Sequence, residues 1–447
     1  MYKYLLFSLF FLFACSRTTQ KVTTNTTTDS VSTTKTKSIL QPTSTDGSYP
    51  AGYLSQATYQ QLNEEEKPIF AQQMAQAYAI VDGHVDLPYR LVTKNFRLTK
   101  EFLQIPIESE SGDFDYVRSR KGGLDAPFMS IYIPADKQLD GTAKVFADTL
   151  INMVHNIAAA HPKYFQLVNQ PSDIAKARKA EAVGLLMGME NGAPVMDDVK
   201  NVKYFYDRGI RYITLTHSKD NQICDSSYDT TGTWNGLSPF GEEIVKEMNR
   251  VGMLVDISHV SDSAFYDVMK IVKTPVIASH SSIRKFTPGF ERNMNDDMLK
   301  ALAENGGVIM INFGSNFLDG NLRKRSEERR AEIRKLLQQA GVSDEEEAGK
   351  KIIEAYVKAN PSVYADVQLV ADHIDHVVKL IGVDHVGFGS DYDGVGDTLP
   401  TGLKDVADFP NLIKVLLDRG YSGKDIEKVC SGNLLRVWKQ ANATASK

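Results

Sequence analysis

Short apolar, β-branched runs alternate with helical patterns along most of this chain. Eight of them read as strands: 79–87 (AIVDGHVDL), 128–133 (FMSIYI), 182–190 (AVGLLMGME), 210–217 (IRYITLTH), 253–259 (MLVDISH), 275–280 (PVIASH), 308–313 (VIMINF) and 385–391 (HVGFGSD). Amphipathic periodicity predicts helices over 145–160, 195–208, 241–251, 261–272, 295–305, 367–381, 403–419 and 423–441. Strand alternating with helix implies a parallel sheet joined by crossover helices, and eight such units predict an α/β fold of the (β/α)8 TIM-barrel type. Residues 321–360 break the pattern. They contain KRSEERRAEIRKLLQQAG and DEEEAGKK, charges of both signs that predict a helical insertion on the surface.

The first residues carry a different pattern. In MYKYLLFSLFFLFAC, Lys3 precedes an apolar run over 5–13, followed by Ala14 and Cys15. That is the layout of a secretory signal, too short to span a bilayer as a helix. A Cys directly after the run resembles a bacterial lipobox, so residues 1–15 predict a lipoprotein signal, with Cys15 lipidated and holding an exported protein on a membrane of the cell envelope, in the periplasm or at the cell surface. Residues 16–52 are rich in Thr and Ser and poor in large apolar side chains, which predicts a disordered tether. The folded enzyme is expected over 53–447.

Composition narrows the class. The 447 residues include 51 Lys+Arg and 56 Asp+Glu, a formal charge of −5, and are 42% hydrophobic. These ordinary globular values exclude collagen-like and wholly disordered chains, and the charge balance offers no bulk attraction to nucleic acid. Three Cys cannot staple a fold of this size; Cys224 and Cys430 are expected either to pair or to be buried thiols.

The candidate chemistry lies at the strand ends, where barrel enzymes build their sites. Strand one ends His84-Val85-Asp86, strand three in Glu190, and strands four, five, six and eight in His217, His259, His280 and Asp391. Residues two apart on a strand share a face, so His84 and Asp86 can bind one ion. The chain has only nine His, and four of them close apolar runs, a clustering that points to metal. This His and carboxylate set suits Zn or a similar dication, and the number of ligands suggests two ions. His84 and Asp86 would hold the first, His259 and His280 the second, with Glu190 bridging both. Such a centre activates water and polarises a carbonyl. Asp391 is then the candidate general base and later acid, and His217 the group that steadies an oxyanion. Arg292, in FERNMNDD, is a candidate to grip a carboxylate.

The segments VDGHVDLP, GMENG, ITLTHSKDN, VDISHVSD, VIASHSS, RNMNDD and HVGFGSDYDGV together resemble the membrane dipeptidase (renal dipeptidase) family of zinc metallopeptidases, within the amidohydrolase-like superfamily. The resemblance runs from Ile80 to Val437. It implies a barrel with two zinc ions, His84 and Asp86 on one, His259 and His280 on the other, and Glu190 between them. It also implies a substrate-polarising role for His217, an Arg292 beside the substrate carboxylate, and an acid/base Asp391.

These readings converge on a zinc-dependent dipeptidase that cleaves the single peptide bond of a dipeptide by a metal-bridging hydroxide. The resemblance extends the substrates to dipeptides with a C-terminal D-residue, such as those derived from peptidoglycan, and allows a homodimer. Two alternatives stand beside it. One is another amidohydrolase-type hydrolysis, of a lactone, a β-lactam or an N-acyl amino acid. The other is a non-catalytic surface-binding lipoprotein.

Overall fold

The computed structural model describes residue 49 and residues 52–93 and 105–445. The signal, Cys15 and all of the tether except 49 and 52 lie outside the described residues. No helix among the described residues is long and apolar enough to cross a membrane.

Among the described residues nine strands form: β1 (Ile80–Val85), β2 (Leu124–Tyr132), β3 (Phe165–Leu167), β4 (Val183–Glu190), β5 (Ile210–Thr214), β6 (Leu254–Asp256), β7 (Ile277–Ser281), β8 (Val308–Ile311) and β9 (Val386–Phe388). Every pairing between them is parallel. β1 pairs with both β2 and β9, β2 pairs with β4, and β4 to β9 follow in order, so eight strands close into the expected barrel. The ninth, β3, is a three-residue addition on the outer flank of β4. Parallel strands covered on both faces read as continuous apolar runs, which is why the barrel was legible.

The barrel interior is filled from the N-terminal end. Val81, Leu254, Ile277 and Val308, each at or near the start of its strand, cluster with Phe128, Tyr212 and Met310. Trp438, on the last helix (Asn433–Thr444), joins this cluster with its ring 6.1 Å from that of Phe128. The end opposite the strand C-termini is therefore plugged, and only the other end can open to a ligand.

Several boundaries differ from expectation. β5, β6 and β9 stop early, leaving His217, His259 and Asp391 on loops just beyond. The cause is visible at β6: Asp256 Oδ1 accepts the backbone N–H of Ser258 and of Ser279, which ends the ladder. The 195–208 helix begins only at Lys200, because Asp198 Oδ1 takes the Lys200 N–H. The 403–419 helix begins at Phe409, with Pro410 in its first turn. The last predicted helix is two helices joined by a π-helical turn (Lys428–Gly432).

The charged insertion folds as two helices, Gly320–Ala340 and Glu347–Ala359. Asp319 caps the first by accepting the N–H groups of Asn321 and Leu322, and Gly341, at φ 66°, ends it. Leu337 and Gly349 are the buried residues of these helices. Cys224 and Cys430 are buried free thiols and do not pair.

Candidate metal centre

Six of the singled-out side chains meet at the C-terminal mouth of the barrel, around Glu190. The Glu190 Oε1 atom lies 3.1 Å from His259 Nε2, 3.3 Å from His280 Nε2 and 3.5 Å from His217 Nε2. Its Oε2 lies 3.3 Å from His84 Nε2 and accepts the Ser130 hydroxyl at 3.2 Å. Asp86 Oδ2 stands 3.4 Å from the same His84 nitrogen, as the two-residue spacing requires. The His259 and His280 Nε2 atoms are 2.8 Å apart.

Neighbouring side chains fix which imidazole nitrogens carry lone pairs. Tyr212 donates its one hydroxyl proton to the Gly83 carbonyl at 3.1 Å, so its oxygen accepts from His84 Nδ1 at 2.9 Å. His84 Nε2 is then free to face Glu190. Ser279 donates to Asp256 Oδ2 at 2.6 Å and accepts from His280 Nδ1 at 2.8 Å, which leaves His280 Nε2 with a lone pair as well. Hydrogen-bonded support of this kind orients metal-binding histidines. The Tyr212 ring needs Gly188: a Cβ there would lie 1.9 Å from the ring. Gly394 is needed for the same reason, since its Cβ would fall 2.2 Å from both Asp391 Oδ1 and Asp86 Oδ2.

The electrostatics of the cluster follow. Burial pushes the Glu190 carboxyl up, but the imidazoles around it outweigh burial and hold it well below the usual carboxylate range. Burial, reinforced by the Arg292 guanidinium and neighbouring imidazoles, pushes His259 and His280 well below the usual histidine value. Burial also lowers His217. His84 goes the other way: burial opposes its charge, yet Tyr212, Glu190 and Asp86 together raise it.

The donor set fits divalent metal. Among the described residues, three groups of side chains have ligand atoms within 4.8 Å of one another: His84, Glu190 and His280; Glu190, His217 and His259; His84, Asp86 and Asp391. His84 Nε2, Asp86 Oδ1, His217 Nδ1 and His259 Nδ1 are buried without a hydrogen-bond partner. Lone pairs crowd this cluster, and buried polar atoms of this kind are otherwise costly. A cation beside Glu190 would satisfy His84 Nε2 and Asp86 Oδ1, whereas the His217 and His259 Nδ1 atoms are the far nitrogens of rings whose Nε2 faces Glu190.

Asp391 and Arg292 flank the cluster. Asp391, at φ 62°, accepts Asn312 Nδ2 at 2.8 Å. Burial, and then the charges of Asp86 and Glu190, push its carboxyl up to about 8. A bound dication would draw that value down again. Arg292 is 3% exposed and lies behind the histidines. It donates to Ser281 Oγ at 2.6 Å and to the His280 carbonyl at 2.7 Å, and sits 2.9 Å from His259 Nε2. Its Nε is buried with no partner.

A cavity of about 1020 Å³ opens above Glu190, lined by Asp86, Tyr132, His217, Tyr228, His259, His280 and Asp391. Its outer wall includes Arg323, Ser326, Glu327 and Arg330 of the insertion. Sequence reasoning missed Tyr212, Ser279, Asp256 and Asn312. The signal for Asp256 and Tyr212 was present, because a buried polar side chain within an apolar strand needs a partner.

The sequence profile described as Membrane dipeptidase (Peptidase family M19) matches residues 69–447. An uncharacterized dipeptidase of Schizosaccharomyces pombe is 32% identical over 381 residues, 82% of this chain and 81% of that protein. The probable dipeptidase PvdM from Pseudomonas aeruginosa superposes with a TM-score of 0.71 at 23% identity, over 86% of this chain and 100% of that one. A metallo peptidase from Rhodobacter sphaeroides, solved with a phosphinate mimic of the dipeptide L-Ala-D-Ala, gives a TM-score of 0.67 at 22% identity, over 81% and 99%. The chain belongs to the membrane dipeptidase family, peptidase family M19, and is a metallo-dipeptidase.

Proposed function

We propose that the protein is a two-zinc dipeptidase that accepts dipeptides with a D- as well as an L-residue at the C-terminus. The observation that carries this reading is the Glu190 carboxylate with four imidazole nitrogens within 3.5 Å at the floor of a cavity. His84 and Asp86 would hold one ion and His259 and His280 the other, with Glu190 shared between them. Bound there, divalent ions would supply Lewis-acid polarisation of a carbonyl and lower the pKa of water towards ~7.

The chain's own residues do the rest. Asp391, held by Asn312, takes a proton from the attacking water and returns it to the leaving amine. His217 reaches the cavity from the loop after β5 and steadies the oxyanion of the tetrahedral intermediate. Arg292, buried behind the histidines with one free donor, Nε, would turn that donor to the free C-terminal carboxylate and so favour dipeptides over internal bonds of long chains. The D-residue mimic bound by the Rhodobacter sphaeroides relative supports the stereochemical breadth. Lys3, the apolar run over 5–13 and Cys15 support export and lipid anchoring.

The test is turnover of Gly-D-Ala and Gly-L-Ala by zinc-loaded protein, with N-acetyl-Gly-D-Ala as the blocked control. A dipeptidase cleaves the free peptides and is poor on the blocked one. Equal cleavage of both forms points instead to an N-acyl amidohydrolase.

A further inference from the structure

The insertion helix Gly320–Ala340 turns one face to the cavity. Arg323, Glu327 and Arg330, spaced four and three apart, lie on that face and line the same cavity as the Glu190 cluster. Arg323 is partly buried, with its guanidinium 4.4 Å from the centre of the Phe290 ring and an Nε that is buried without a partner. Its Nη1 donates to Glu327 at 2.8 Å. Arg330 makes no ion pair or hydrogen bond among the described residues. Glu291, also on the cavity wall, is engaged by the backbone N–H of Asp262 at 2.7 Å. On this face of the helix Arg323 and Arg330 outnumber Glu327 by one charge, while Glu291, elsewhere on the cavity wall, keeps its negative charge with Oε1 turned to the Asp262 N–H.

Position sets which part of a substrate meets that charge. Phe290 packs 6.0 Å from Phe317, and Phe317 lies 5.6 Å from the Arg292 guanidinium. Arg292 and Arg323 thus stand on the two sides of one aromatic pair. A dipeptide whose terminal carboxylate faces Arg292 is taken to direct the side chain of that same residue along this aromatic pair, toward the insertion.

We propose that Arg323 and Arg330 form an anion subsite that selects dipeptides with an acidic side chain on the C-terminal residue. The proposal rests on the dipeptidase reading for its orientation. Guanidinium pairs with carboxylates by charge-assisted, bidentate bonds, and its planar fork makes Lys a poor replacement.

Ala-Glu and Ala-Gln, each with an L- and a D-second residue, differ at the subsite by charge alone. Zinc-loaded wild-type protein is expected to favour Ala-Glu about tenfold in kcat/KM, the factor that one partly desolvated charged pair gives. Arg323→Gln with Arg330→Gln should bring this ratio to about one, and Arg330→Glu should bring it below one. A ratio near one in the wild type, or a preference that survives the double substitution, overturns the subsite. Because each ratio is internal to one variant, a general loss of activity does not mimic the effect. Calorimetry with the phosphinate analogues of both peptides separates the two readings. If no dipeptide is cleaved yet the Glu analogue binds tighter and loses that edge in the double variant, the subsite stands and the dipeptidase reading falls. Equal affinity for the two analogues overturns the subsite.

Discussion

The floor and the outer wall of the cavity are built by opposite means. The floor is held by strands. His84, Glu190 and His280 lie on β1, β4 and β7, all at most 4% exposed, and each touches a partner that fixes its rotation. The wall is an exposed helix whose charges pair with each other, as in Arg323–Glu327 at 2.8 Å and Lys324–Glu328 at 3.9 Å. Rigidity belongs where several ligand atoms must coincide to within about half an ångström. An adaptable surface suffices where only a side chain must be told apart. The chemistry is thus fixed below, and selection can change above without disturbing it.

The largest effect should come from the centre of the floor. Glu190→Ala removes the carboxylate shared by both proposed ions and should lower kcat/KM by about 10³-fold or more, read with any cleaved dipeptide. A tenfold loss or less would break the contrast at its stronger end. Asp391→Asn should cost about 10²–10⁴-fold while metal content stays normal, because it removes a proton carrier.

His373 joins the two regions. Its Nδ1 accepts the Ile283 N–H at 3.1 Å, on the loop leading to Arg292, and its Nε2 donates to the Leu318 carbonyl at 2.9 Å, next to the insertion. Burial pushes it down to about 4. A histidine depressed on folding is neutral in both states above its unfolded value, so its support is complete above about pH 6.5. As pH falls toward about 4 the unfolded chain takes up the proton first, and roughly 3 kcal/mol of stability is lost. Denaturant titrations at pH 7 and pH 4 should show this drop, and His373→Gln should show less of it. An equal drop in the variant would remove His373 as the joint.

Smaller effects are expected from the support shell and the wall. Tyr212→Phe deletes the acceptor of His84 Nδ1 and should weaken metal binding by about 10–100-fold, measured by competition with a chelator. Lys324→Ala, on the exposed side of the insertion, should shift stability by no more than about 0.5 kcal/mol.

The same contrast explains what could be read from the chain alone. Strands buried on both faces announce themselves as apolar runs, and a His or acid at the end of such a run is conspicuous, so the barrel and its seven polar landmarks were legible. The loops were not. His259 and Asp391 take φ of 68° and 62°, and no periodic pattern signals where a strand yields to such a turn. β3 has three residues, too few for a period. The partners of Tyr212, His84 and Gly83, and the acceptor of Ser279, Asp256, could not be named from sequence because they lie on other strands. Arg323 and Arg330 disappear into a charged run, since a solvent-facing helix and a cavity-facing one share the same composition.

Metal content of the full-length protein after zinc repletion and desalting, counted per chain in the wild type and in Glu190→Ala, tests the central claim most directly. Two zinc ions in the wild type and fewer than about half an ion in the variant are expected if one carboxylate gathers both. A wild type without metal, or a variant that keeps both ions, would contradict it.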